Sequence, residues 1–294
     1  MRHHPAAGGG GQIATPEHEQ AEAWRAAAAG WERQAALVRD GTRELDERLV
    51  TLLAPVPGET VLELAAGPGD TGFLAAAVLG SAGLLLSSDV APEMVDAARR
   101  RADELGVENV EFRVEDASAI DLPDDAVDGV ICRFGIMLVP DPERALSEIA
   151  RVLRPQGRAV LAVWASSDAN DWMTAAGRSA VELGFIEPPD PRASGPFRLA
   201  DPDELHQLVI GAGFRVETLE DVRVLWRVPS LDQWWATTRD LSQMLTTLVE
   251  RLATEDVKAL RDGAERRLAK YVAADESLEV PGLARALLAV RAPS

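Results

Sequence analysis

The chain has 294 residues, of which 47% are hydrophobic and 27% charged, the proportions of a globular protein with a full core. Its formal net charge of −18 weighs against a nucleic-acid partner, because binding a phosphate backbone rests on Lys and Arg neutralising it. The single cysteine, Cys132, excludes an internal disulfide and leaves no basis for a zinc cluster, so no metal is expected.

The N-terminal "MRHHPAAGGGGQ" has no apolar signal core, and no apolar run is long enough to span a bilayer. A cytoplasmic protein without membrane contact is expected, with residues 1–15 as a flexible tail. Pro16 to Leu53 is alanine-rich with Trp24, Trp31 and Leu37 near helical spacing, so residues 16–54 form a helical cap. "PVPGE" breaks that pattern, and an alternation follows over residues 55–165. Strands are expected at Val61–Ala65, 83–89, Val110–Val114, Gly129–Cys132 and Ala159–Trp164. Helices fall between them at Thr71–Leu79, at Pro92–Leu105 and over 141–153, the last two opened by Asp-Pro or Pro and the first of those closed by Gly106. "RPQG", with Pro155 and Gly157, reads as the turn before the fifth strand. Residues 166–200 form a variable insertion with a helix near Trp172–Leu183. Residues 201–229 continue the core as a helix and a strand, Phe214–Val228, broken near Glu220-Asp221. Residues 230–275 are a helical lid or dimerisation insertion, and 276–294 carry a final strand. Strands alternating with helices on short connections make the fold class α/β, a mostly parallel sheet with helices on both faces.

The chemistry concentrates at "VLELAAGPGDTG", residues 61–72. A strand leads into Gly67 and Gly69, a helix follows, and Asp89 ends the next strand twenty residues after Gly69. In open parallel sheets ligands bind beyond the carboxyl ends of the strands. There the glycines let backbone approach a ligand where a Cβ would collide, and Asp89 can accept both hydroxyls of a ribose. The string 67–72 formally satisfies the dinucleotide fingerprint G-x-G-x-x-G. Glu63 and Asp70, however, put negative charge where a pyrophosphate would dock; two unit charges 4 Å apart interact by roughly 4 kcal/mol at an effective dielectric of about 20. The expectation is a cationic nucleoside rather than NAD.

Together with "SSDVAPEMVDAARRRA" and "FRVEDASAIDLPDDAVDGVICRFGIMLVPDPERALSEIARVLRPQGRAVLAVWA", this loop resembles the class I S-adenosylmethionine-dependent methyltransferases, specifically the ubiquinone/menaquinone-biosynthesis type acting on small molecules. The likeness is tight over residues 57–165 and looser over 201–228. It implies a Rossmann-like, mostly parallel seven-stranded sheet with N-terminal helices and helical insertions as a lid. It implies S-adenosyl-L-methionine as cofactor and S-adenosyl-L-homocysteine as product. By this resemblance Glu63 and the loop of Ala65, Ala66, Gly67 and Gly69 hold the methionine portion. Asp89, with Val90 beside it, binds the ribose and Met94 packs on the adenine. Asp116 and Ala117 meet the adenine edge, and Arg133 lies near the methionyl carboxylate or the substrate. The family's first loop glycine is Ala65 here, a tolerable change unless the position requires a positive φ.

Trp164 and Trp172 flank the exit of the fifth strand, where they and Phe134 and Met137 would suit an apolar or aromatic acceptor. Trp24 and Trp31 share a helix face and serve either as core or as a lid on the pocket. "RFGI" after the fourth strand is not the Asn/Asp-Pro-Pro-aromatic motif of base- or glutamine-N-methylating relatives, which with the acidic charge favours O- or C-methylation of a small molecule. No catalytic base is identified: His3 and His4 lie in the tail, and His206 reads as structural. Three alternatives stand beside methyl transfer: a cyclase or decarboxylase on the same fold, a non-catalytic protein dimerising through 230–271, and an NAD oxidoreductase.

Overall fold

The computed structural model describes residues 16–190 and 193–293, with side chains from Glu22 onward; the expected tail and two residues of the insertion lie outside them. Seven strands form one sheet in the order β3-β2-β1-β4-β5-β7-β6. These are β1 (Thr60–Leu64), β2 (Leu84–Asp89), β3 (Val110–Val114), β4 (Val127–Arg133), β5 (Leu153–Trp164), β6 (Phe214–Val228) and β7 (Leu278–Arg291). The first five pair in parallel, whereas β7 runs antiparallel to both of its neighbours, β5 and β6. The order reverses between β1 and β4, so the crevice of a doubly wound sheet opens at the carboxyl ends of those two strands.

The helices follow from their sequence signals. α3 (Pro92–Leu105) has Pro at its start and ends on Gly106 at φ 67°, a left-handed stop that glycine adopts without strain. α4 (Pro142–Val152) is capped by Asp141, whose carboxylate accepts from the Arg144 N–H at 3.0 Å. α2 (Asp70–Leu79), α5 (Asp171–Glu182), α6 (Pro202–Gly211), α7 (Leu231–Leu241), α8 (Gln243–Arg251) and α9 (Thr254–Leu268) complete the set after α1.

α1 is one 38-residue helix, Pro16–Leu53, rather than several. Leu45, Leu49 and Leu53 recur every four residues and are fully buried, which ties its second half to the sheet. Each such leucine contributes about 1.5–3 kcal/mol of burial. In its first half Ala28 forms a separate small cluster with Ala91 and Met94 of the β2–α3 corner; Trp24 packs against it, and Trp31 bridges it to the main core.

Two local expectations are corrected. "RPQG" lies inside β5, whose register with β4 jumps from Val127↔Leu153 to Gly129↔Arg158, so the four residues are a bulge rather than a turn between elements. β6 is continuous through Glu220-Asp221; its irregularity falls at Val216/Thr218 instead. That continuity matters for the site. β7 pairs with β5 only from Ala284 to Val290, while its pairing with β6 runs on to Val228↔Leu278. The β6–β7 ribbon therefore rises past Trp164, beyond the carboxyl edge of the sheet, and carries Trp226 there.

Among the described residues no helix is long and apolar enough to cross a membrane, and no group of His, Cys, Asp or Glu could hold a metal ion.

Candidate active site

The loop after β1 is built on three left-handed residues, Ala65 (φ 52°), Gly67 (φ 54°) and Gly69 (φ 83°). Glu63 sits behind this loop rather than in front of it. It is 2% exposed, and its carboxyl accepts from the Gly72 N–H at 2.8 Å and the Ser87 hydroxyl at 3.4 Å. Burial pushes its pKa up to about 8, against the Gly72 N–H and the Arg133 charge, which pull it down. A Cβ on Gly72 would stand 2.1 Å from Glu63 Oε2, so Gly72 is what lets the carboxyl reach the first turn of α2.

Asp89, at the end of β2, accepts from the Gly67 N–H and the Ala91 N–H, each at 3.0 Å. Burial raises its pKa, opposed by those backbone donors and by the Val90 N–H. Two amides fix the orientation of the carboxylate and leave lone pairs over for a ligand. Asp116 and Ala117 follow β3; the Asp116 carboxylate accepts from the Ser118 N–H at 2.7 Å. Met94, 3% exposed, lies on α3 beneath α1.

Arg133 ends β4 and turns toward α1. Its Nε is 3.2 Å from Asp46 Oδ1, and its Nη1 donates to the Thr42 hydroxyl at 3.2 Å. Asp46 also accepts from the hydroxyls of Thr71 (2.8 Å) and Thr42 (3.0 Å). This buried knot joins α1, α2 and β4 directly beside the loop. Sequence reading missed Asp46, although it falls on the buried stripe of Thr42, Leu45 and Leu49, where an acid needs a partner.

The charge argument for the cofactor is also corrected. Asp70 sits between Arg39 (3.2 Å) and Arg101 (3.7 Å), and Glu63 is held toward its neutral form. Neither presents a free negative charge at the loop, whereas the Asp89 carboxylate is held by backbone N–H groups.

Ala65 adopts the positive φ that the glycine of the family pattern would take without strain, and the fold makes room for its methyl by placing Gly135 opposite. A Cβ on Gly135 would lie 2.5 Å from Ala65 Cβ and 2.8 Å from Cys132 Sγ. A non-glycine residue in this region costs about 1–2 kcal/mol. Ala65→Gly is therefore expected to stabilise the protein by about 0.5–1 kcal/mol after the added entropy of the unfolded glycine, read from urea melts. An unchanged or lower midpoint would show that the Ala65 methyl packs favourably enough to offset its backbone strain.

On the acceptor side, Phe134 (φ 60°) donates its N–H to Ala162 O at 2.8 Å and stacks on Trp164 at 3.9 Å and 11°. Trp164 continues to Trp226 (6.1 Å), Trp226 to Trp172 (5.4 Å), and Trp172 to Trp234 (6.4 Å). Phe134 and Trp164 thus meet at the edge, while Trp172 and Met137 lie behind them in the core. Trp24 and Trp31 stand elsewhere, 5.7 Å apart at the Met94 cluster on the cofactor side. Trp226 was not singled out in the sequence because its strand looked interrupted.

Residues 55–184 match the family model described as a methyltransferase domain. The ubiquinone/menaquinone biosynthesis C-methyltransferase of Methylococcus capsulatus is 34% identical over 152 residues, 50% of this chain and 61% of that protein. Aklanonic acid methyltransferase from Streptomyces sp. strain C5 is 36% identical over 114 residues, 39% of this chain and 52% of that protein. The solved structure of the YcgJ protein from Bacillus subtilis shares the fold, with a TM-score of 0.55 at 19% identity over 85% of this chain and 98% of that one. The fold is that of a class I S-adenosylmethionine-dependent methyltransferase, and residues 55–184 match its methyltransferase domain. Within that class its sequence is similar to the ubiquinone/menaquinone-biosynthesis type. The chain spans 61% and 52% of the length of these two curated relatives.

S-adenosylmethionine is the cofactor of this class, and the residues fit it. Gly67 has nothing within 4 Å of where a Cβ would stand, which leaves its open side free for a ligand. Two buried polar atoms beside the corner, Trp31 Nε1 and Ser118 Oγ, have no hydrogen-bond partner. Asp89 supplies an oriented carboxylate for a diol. This set suits a nucleoside better than a phosphate, since among the described residues no Lys or Arg faces the loop unpaired: Arg39 and Arg101 serve Asp70, and Arg133 serves Asp46.

Proposed function

We propose that the protein transfers the methyl group of S-adenosylmethionine to a small apolar or aromatic acceptor, at oxygen or carbon. The observation that carries this reading is the Phe134–Trp164 stack, set next to the cofactor loop through the Gly135–Ala65 contact. Both relatives compared above are methyltransferases by name, one of them a C-methyltransferase of quinone biosynthesis. The cofactor, when bound, supplies an electrophilic methyl carbon whose bonding pair leaves with sulfur as a neutral thioether.

The chain's own residues hold the two partners. Ala65, Ala66, Gly67 and Gly69 shape the seat; Asp89, Val90, Met94, Asp116 and Ala117 surround the nucleoside; Arg133 is tethered to Asp46 near the methionyl end. Phe134 and Trp164 offer an aromatic wall for the acceptor. Holding an acceptor atom in line with the methyl carbon supplies roughly 7–11 kcal/mol of the barrier. An acceptor acidic enough to ionise, such as a phenol or an activated carbon acid, needs no dedicated base. Residues 16–54, 166–200 and 230–275 serve as the cover over a core formed by 55–165, 201–229 and 276–294, and specificity resides in that cover.

Incubation with methyl-labelled S-adenosylmethionine and a panel of phenols, quinones and carboxylic acids tests the reading. Label is expected in at least one aromatic acceptor, with Phe134→Leu and Trp164→Leu raising its KM about tenfold or more while S-adenosylhomocysteine affinity holds. A converted substrate with the methyl donor unspent would overturn methyl transfer in favour of a cyclase or decarboxylase.

A further inference from the structure

Trp31 carries an unexplained atom. Its indole Nε1 is buried and has no hydrogen-bond partner, although indole N–H groups usually find one when buried. A buried donor of this kind, like Trp226 Nε1, is met by an ordered water or by a ligand, and the place of the Trp31 indole decides which. The side chain packs against Ala28, Ala91 and Met94. Ala91 in turn gives its N–H to Asp89 Oδ1 at 3.0 Å, and Asp89 Oδ2 accepts from the Gly67 N–H at 3.0 Å. The unused donor therefore belongs to the corner where the cofactor's nucleoside is seated.

The helix that carries it is fastened at its other end. Asp46 ties α1 to Arg133 and Thr71 at the loop, whereas the Trp31 end rests on the Met94 cluster and the edge of the main core, with polar links to α3 by Arg100–Glu32 (2.7 Å) and to α7 by Asp240, which accepts from Arg33 (2.6 Å) and Gln34 (2.7 Å). On the proposed reading of the site, α1 runs from the methionyl end to the nucleoside end of the cofactor. We propose that Trp31 is a cofactor-binding residue: its indole N–H donates to an oxygen or nitrogen of the nucleoside, and that bond locks the first half of α1 down as the lid.

Calorimetric titration of the full chain with S-adenosylhomocysteine and with 5′-methylthioadenosine, which keeps the nucleoside and drops the amino acid, tests this. Trp31→Phe keeps an aromatic ring and removes the N–H. Its Kd for both ligands is expected to rise about tenfold, the worth of one hydrogen bond, while the Tm of the ligand-free protein holds or rises because an orphaned donor is gone. Trp24→Phe is expected to change neither Kd more than twofold. In the wild type, the Trp31 15N indole resonance, assigned by triple-resonance NMR, should shift and gain exchange protection on adding either ligand. That measurement decides the matter if the variant does not fold. Wild-type binding with an unmoved Trp31 resonance, or a Trp31→Phe Kd within twofold of wild type, overturns this assignment alone. No binding of either ligand by the wild type overturns the cofactor reading on which it rests.

Discussion

Asp46→Ala is expected to lower stability by about 3–5 kcal/mol, the usual result of removing one partner from a buried ion pair. The cause is on both sides of the carboxylate. Arg133, whose side chain is 11% exposed, would keep its charge with no counter-ion at 3.2 Å. The hydroxyls of Thr71 and Thr42 would lose an acceptor at 2.8 and 3.0 Å. For a domain of this size each kcal/mol moves Tm by about 2–4 °C, so a fall of roughly 10 °C is expected by calorimetry. The double variant Asp46→Leu/Arg133→Leu should recover part of the loss, because it leaves no lone buried charge. A single variant melting within 2 °C of wild type would show that Arg133 relaxes to solvent and that the knot does not fasten α1.

That knot shows where sequence reading stops. Periodicity and punctuation located nearly every element, because Asp141 and Asp201 cap helices and Gly106 ends one whatever the tertiary context. The glycine loop between β1 and α2, and the place of Asp89 at the end of β2, were legible for the same reason: both lie within a strand–loop–helix unit. What was not legible depends on contacts across the chain. Glu63 and Asp70 read as acids repelling a pyrophosphate at the loop, yet one is turned onto Gly72 and the other is neutralised by Arg39 and Arg101. Arg133 read as lying near the methionyl carboxylate or the substrate, and its ion-pair partner, 87 positions earlier on α1, went unseen. The positive φ at Ala65 depends on Gly135, seventy positions later. Trp226 joins the aromatic wall only because the β6–β7 ribbon outruns β5.

The cofactor reading itself turns on Asp89. If the two backbone amides orient its carboxylate for the hydroxyls of a ribose, Asp89→Ala removes charge-assisted hydrogen bonds worth about 1.5–3 kcal/mol each. A rise in the Kd for S-adenosylhomocysteine of roughly 100-fold is then expected. The effect is read most simply as ligand-induced stabilisation. At 100 times its Kd, S-adenosylhomocysteine stabilises the wild type by about 2.7 kcal/mol; at that same concentration the variant, with ligand now near its own Kd, gains only about 0.4 kcal/mol. Asp89→Asn keeps one acceptor oxygen and should fall between the two. NAD at millimolar concentration should move neither protein. This last arm bears most weight, because the formal G-x-G-x-x-G of residues 67–72 invites a dinucleotide, and the acids thought to repel one are held in pairs or buried. What weighs against NAD in the folded protein is the absence, among the described residues, of an unpaired cation at the loop for a pyrophosphate. A melting shift with NAD, or an Asp89→Ala protein that binds S-adenosylhomocysteine as tightly as wild type, would overturn the assignment of this corner to the ribose of S-adenosylmethionine.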